Sequence, residues 1–113
     1  MKTHTMKLSN RPFAATACGG KTIESRLYDA KRQEIMIGDE IIFSHANNPA
    51  RQISVRVIGL LHYKTFETMF LHNSPKKFGD ETVEGLLGQV EKFYSLADQQ
   101  QFGVLGIEFE LLS

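Results

Sequence analysis

Apolar and polar residues alternate from Thr22 to Tyr28. Ile23, Ser25 and Leu27 point to one side, and Thr22, Glu24, Arg26 and Tyr28 to the other. The spacing predicts a strand with one face made entirely of hydrogen-bonding groups. The run from Gln52 to Tyr63 predicts the longest strand, with Ile53, Val55 and Val57 on one face and Arg56 opposite. Gly59 within it marks a bulge or a sharp bend. The closing run Phe102–Leu111 predicts another strand, its apolar face being Leu105, Ile107, Phe109 and Leu111. Val104, Gly106, Glu108 and Glu110 form its second face. Met6–Leu8 reads as a short edge strand, and Glu40–Ser44 as a further strand after the Gly38-Asp39 turn signal. Ala46–Ala50 reads as a loop of turn residues.

Helical signals fill the gaps. Ser9 or Asn10 caps a first helix, Pro12 suits its first turn, and Gly19 or Gly20 ends it. Phe13 and Ala17 are its expected buried stripe. Thr65 caps a short helix carrying Phe66, Met69 and Phe70. The span Thr82–Phe93 is helical by the spacing of Val83, Leu86, Leu87, Val90 and Phe93. Ser95 and Asp98 form a capping box for one more turn. Residues 73–80 form the longest irregular stretch and the best candidate for a mobile loop over a site. The expectation is a single α+β domain over residues 1–113. It is a small curved mixed sheet or β-barrel of about five or six strands, with short helices packed at its ends.

Composition narrows the function classes. The chain has 113 residues and 42% hydrophobic residues, ordinary for one globular domain. No apolar run approaches the roughly 20 residues that a membrane span requires. The N-terminus lacks the apolar segment of a signal peptide, and the lone Cys18 has no internal partner, so a cytoplasmic setting is expected. The net charge of zero conceals an asymmetry. Residues 1–32 carry a balance of +5 and residues 80–113 a balance of −6. A general nucleic-acid coat protein would be basic throughout. A local basic surface built from the N-terminal third stays open, as does the plainer reading of two solvated faces that offset each other.

Most recognisable chemistry is missing. His4, His45, His62 and His72 are scattered and no metal spacing appears. Gly19-Gly20-Lys21-Thr22 lacks the upstream glycine of a phosphate-cradling loop and precedes a strand. Cys18, near a helix C-terminus, is poorly placed for a nucleophile. No cofactor is expected. What remains is Lys21, Glu24 and Arg26, three charges in six residues. One reading is a surface ion pair worth under ~1 kcal/mol. The other is a polar cleft, because burying unpaired charge costs several kcal/mol and the whole strand face is hydrogen-bonding. In that cleft Arg26 stacks on or binds a planar polar ligand, Glu24 accepts from an exocyclic amine, and Lys21 contacts phosphate or a developing oxyanion.

The pattern Gly-x-Lys-x-x-Glu-x-Arg, with Gly20–Asp29, Lys31-Arg32-Gln33, Ile37–Phe43, Tyr94 and Phe102–Ile107, resembles the bacterial ASCH domain, a relative of the PUA domains. The resemblance covers nearly the whole chain. It implies a PUA-like β-barrel, a cleft beside the signature strand, and RNA as the partner. Lys21, Glu24 and Arg26 would be cleft residues. In a binding module, Tyr28, Arg26 and Glu24 would read a base and the basic N-terminal residues would touch phosphate, with Arg32 a further candidate for nucleic-acid or ligand contact. A free modified nucleoside is the alternative ligand. One branch of the family hydrolyses N4-acetylcytidine and carries a lysine matching Lys21 as base, but a threonine where this chain has Glu24. By that route the chain is an amidohydrolase with Lys21 as base and Glu24 orienting water. A third reading is an interaction module in which Glu24 and Arg26 only pin strand register.

Overall fold

The structure is a computed structural model that describes residues 1–112. Its strands are β1 (Thr3–Leu8), β2 (Ile23–Leu27), β3 (Glu40–His45), β4 (Asn48–Tyr63) and β5 (Val104–Leu111). Its helices are α1 (Asn10–Ala17), α2 (Phe66–Leu71), α3 (Val83–Val90) and α4 (Leu96–Phe102). Two 3₁₀ turns, Arg32–Glu34 and Pro75–Phe78, complete the elements. The strands form one sheet in the order β1-β3-β4-β5-β2. β1 runs parallel to β3, and every other pairing is antiparallel.

β4 is long enough to serve two neighbours. Its first half pairs with β3 and its second half with β5. The register slips between Val57 and Gly59, which bends β4 and curls the sheet into a half-barrel. A second slip at Ser44/His45 falls opposite Asn48–Gln52. β4 therefore starts at Asn48, inside the stretch expected to be a loop. Pro49 sits within this irregularity, where its missing N–H costs no ladder bond.

Both faces of the sheet are covered. The interior holds Met6, Leu8, Ile41, Phe43, Val55, Val57, Leu105, Ile107 and Phe109, with Phe13 of α1 closing one end. On the other face Ile23, Leu27 and Val104 pack against Phe66, Met69 and Phe70 of α2 and Leu86 and Val90 of α3. Gly106 lets this layer come close: a Cβ there would lie 2.9 Å from Met69 Sδ and 3.3 Å from Ile23 Cγ2. Thr65, Thr82 and Ser95 cap α2, α3 and α4 through side-chain oxygens, and Ser95 with Asp98 forms the full capping box.

Several expectations need correction. β1 is twice the expected length, because parallel pairing with β3 runs from Thr3 to Leu8. The buried partner of Phe13 is Thr16 rather than the exposed Ala17. Thr16 tolerates burial because its hydroxyl donates to Pro12 O at 2.8 Å. α3 stops at Val90, so Phe93 leaves the apolar stripe and is 75% exposed. Leu111 is also exposed, where β5 runs beyond the interior. The stretch at 73–80 is not irregular throughout: it holds a 3₁₀ turn that buries Phe78, and Lys77 O accepts from Thr22 N at 2.8 Å.

Candidate functional site

The site begins where α1 ends. Gly19 adopts φ +82° and Lys21 N donates to Ala15 O at 3.0 Å, so the chain turns straight from helix into β2. Lys21 then lies across Gly79, itself at φ +94°; a Cβ there would come within 3.2 Å of Lys21 Cδ. A glycine at 79 thus meets two needs at once, the left-handed backbone and room for the lysine.

Glu24 and Arg26 project from the face of β2 that pairs with Ile107 and Leu105, which is the interior side. This is why a polar strand face ends up buried. Lys21 Nζ donates to Glu24 Oε1 at 2.5 Å. Arg26 Nε donates to Glu24 Oε2 at 2.8 Å, and Nη2 reaches the same oxygen at 2.8 Å. Arg26 Nη2 also donates to Lys7 O, at 2.9 Å, tying β2 across the open seam to β1. Glu24 is 5% exposed and Lys21 7%. Burial pushes the Glu24 carboxyl up, but the charges of Lys21 and Arg26 and their hydrogen bonds outweigh it and hold the carboxyl below its ordinary range. Burial likewise works against the Arg26 guanidinium, and Glu24, with the Tyr94 hydroxyl beside it, more than restores it. The cluster is a desolvated cation–anion–cation triad, not a surface pair.

The triad floors a cavity of about 290 Å³. Phe70, Leu86 and Val90 supply apolar wall, and Phe93 and Tyr94 stand at its edge. Ser9, Lys7 and Gln89 add polar groups. Lys21, Glu24 and Arg26 are thus brought together. Tyr28 is not among the residues lining this cavity. β2 ends at Leu27, Tyr28 N donates to Gly103 O, and the ring packs edge-on to His62 at 4.9 Å between centroids. Arg32 lies elsewhere too, on the 3₁₀ turn beside a separate cavity. Four aromatic residues, Phe70, Phe78, Phe93 and Tyr94, line the cavity with the triad, and sequence reasoning did not assign them to the site. The signal for the last two was the Phe93-Tyr94 pair itself, which follows Val90, the last apolar residue of α3, after the charged Glu91 and Lys92. Among the described residues no group of three or more His, Cys, Asp or Glu side chains is arranged to hold a metal ion, and no helix is long and apolar enough to cross a membrane.

An ASCH-domain family model matches residues 6–113. The chain belongs to the ASCH domain family. This PUA-like family is linked to RNA binding, and the half-barrel with four helices is its fold. The chain is similar to the crystal structure of hypothetical protein PH0355, with 30% identity, a TM-score of 0.85, and coverage of 99% of this chain and 100% of that one. It is similar also to the solution structure of PF0455 from Pyrococcus furiosus, with 27% identity, a TM-score of 0.74, and coverage of 100% and 99%. The crystal structure of an ASCH domain from Lactobacillus crispatus shares the fold at 12% identity, with a TM-score of 0.58 and coverage of 97% and 79%. Among curated proteins, none matches this ASCH chain.

Proposed function

We propose that this ASCH domain binds a base of RNA, or of a modified nucleoside, in the cleft floored by Lys21, Glu24 and Arg26. The observation that carries the reading is the buried triad set beneath an apolar wall with the 75% exposed Phe93 at the rim. Glu24 Oε2 is filled by the two Arg26 contacts, but Oε1 keeps a lone pair beyond its bond to Lys21 and accepts from an exocyclic amine. Arg26 and Lys21 offer N–H groups to ring nitrogens or carbonyls. Phe93 and Tyr94 supply a stacking surface, and such contacts are worth about 1–3 kcal/mol per base.

Binding is favoured over hydrolysis by the electrostatics of Glu24. A carboxylate held low by two cations is a weak base for activating water. Lys21, for its part, donates to that carboxylate. Calorimetric titration of the four ribonucleosides, N4-acetylcytidine and short single-stranded oligoribonucleotides at low salt tests the reading. At least one ligand should bind, Phe93→Ala should weaken it about tenfold, and N4-acetylcytidine should remain intact. The absence of any binding defeats the proposal, and release of cytidine from N4-acetylcytidine replaces it with an amidohydrolase.

A further inference from the structure

We infer that a second cavity, on the far side of Arg26 from the base cleft, takes the phosphate group of a nucleotide or RNA chain. This rests on the base-cleft reading for what is attached to the phosphate, but not for the phosphate site itself. The cavity measures about 340 Å³ and is lined by Lys7, Arg26, Lys31 and Arg32, the hydroxyl residues Thr5 and Ser44, and Met6. No carboxylate residue is among those lining it. Four cations and two hydroxyls, drawn from β1, β2, β3 and the 3₁₀ turn, form a donor set suited to a tetrahedral oxyanion.

The local charge is not balanced from within. Glu24 serves Arg26 and Asp29 serves Arg32, the latter at 3.4 Å. Among the described residues, Lys7 and Lys31 have no carboxylate partner. Lys31 Nζ donates instead to Thr5 O at 3.0 Å. Arg32 has a carboxylate in Asp29 but is not fully satisfied by it. Its side chain is 14% exposed, yet its Nε is buried and has no hydrogen-bond partner among the described residues. A buried guanidinium N–H left without an acceptor is costly, so Arg32 is incompletely satisfied by the protein's own groups.

Arg26 and Lys7 line both cavities, so the two sites share a wall at the β1–β2 seam. A base in the first cavity and its phosphate in the second would therefore belong to one ligand. On this inference the ligand is phosphorylated, as a nucleotide or as a link in an RNA chain, and not a free nucleoside.

The test is calorimetry and amide-resonance titration of the full chain at low ionic strength, with inorganic phosphate, ribonucleosides and ribonucleoside 5′-monophosphates as probes. Inorganic phosphate should shift the resonances of Thr5, Ser44 and Arg32, and Lys31→Gln/Arg32→Gln should weaken that binding at least tenfold. A 5′-monophosphate should bind the wild type at least tenfold more tightly than its nucleoside, and equally to it in the double variant. Nucleoside affinity itself should not change in that variant. Lys31→Gln alone, at an exposed position, checks that any loss is not unfolding. If phosphate moves none of those resonances, or nucleoside and monophosphate bind the wild type equally, the inference fails while the base cleft stands. If phosphate binds as described but no nucleoside does, the base cleft fails and the phosphate site stands.

Discussion

Replacing Glu24 by glutamine removes the charge that balances two buried cations while keeping nearly the same shape. Breaking a buried pair by removing one partner costs about 3–5 kcal/mol. Glutamine keeps one carbonyl acceptor, so the lower end applies, about 3 kcal/mol. In urea, with a slope of about 1.5 kcal/mol per molar, the midpoint should fall by about 2 M. The pH dependence adds a sign. The Glu24 carboxyl is held below its ordinary value in the folded protein, so its contribution is fully present above the unfolded value near 4.3. It is lost as pH falls through the folded value. The gap between wild type and Glu24→Gln should therefore be widest at pH 7 and narrow steadily below pH 4. Adding Lys21→Met to Glu24→Gln should recover part of the loss, since one stranded cation is then gone. A deficit under about 1 kcal/mol, the range of exposed pairs, would refute the buried-triad reasoning, as would a deficit equal at pH 7 and pH 3.

Two further outcomes follow from the same structure. Gly106→Ala should cost about 1–3 kcal/mol by overpacking against Met69, Ile23 and Leu61, and lower the calorimetric Tm by about 4 °C or more; an unchanged Tm would mean that α2 does not sit on β5 this closely. The Asp39 carboxyl, which burial would raise, is instead brought down to about 2 by hydrogen bonds from His4, Lys2 N and Met36 N, so Asp39→Asn should cost about 2 kcal/mol at neutral pH. That difference should close between about pH 4 and pH 2, and a carbon NMR titration placing Asp39 near 4 would contradict it.

The strands were legible because period-two alternation survives in β2, β4 and β5, and Gly59 announced its own bulge. The caps at Thr65 and Ser95 were equally readable, since a side-chain oxygen three residues before an amide is a local geometry, whereas Thr82, read as the first helical residue, is itself a cap. Local rules failed where distant contacts decide. Thr16 is inside because Pro12 O is there to accept from it. Phe93 fits the helical stripe of α3 perfectly, yet the helix ends three residues earlier and the ring is released to the surface. Residues 73–80 look like open loop, but Phe78 drops into the α2–α3 layer. Within the site, Lys21, Glu24 and Arg26 were conspicuous as charges on a strand. Their burial was not, because it depends on Gly79, Tyr94 and the β1 edge, all remote in sequence. Tyr28 shares their alternation but lies past the strand's end, and Tyr94 holds the place beside Arg26.

Strand β1 lies at the rim of the sheet, and such a rim is a template on which another chain can grow. The carbonyls of Thr5 and Lys7 are already taken there, by the ammonium of Lys31 and the guanidinium of Arg26. Two positive charges thus sit where a foreign strand would have to dock. The groups that close the half-barrel also blunt its free edge.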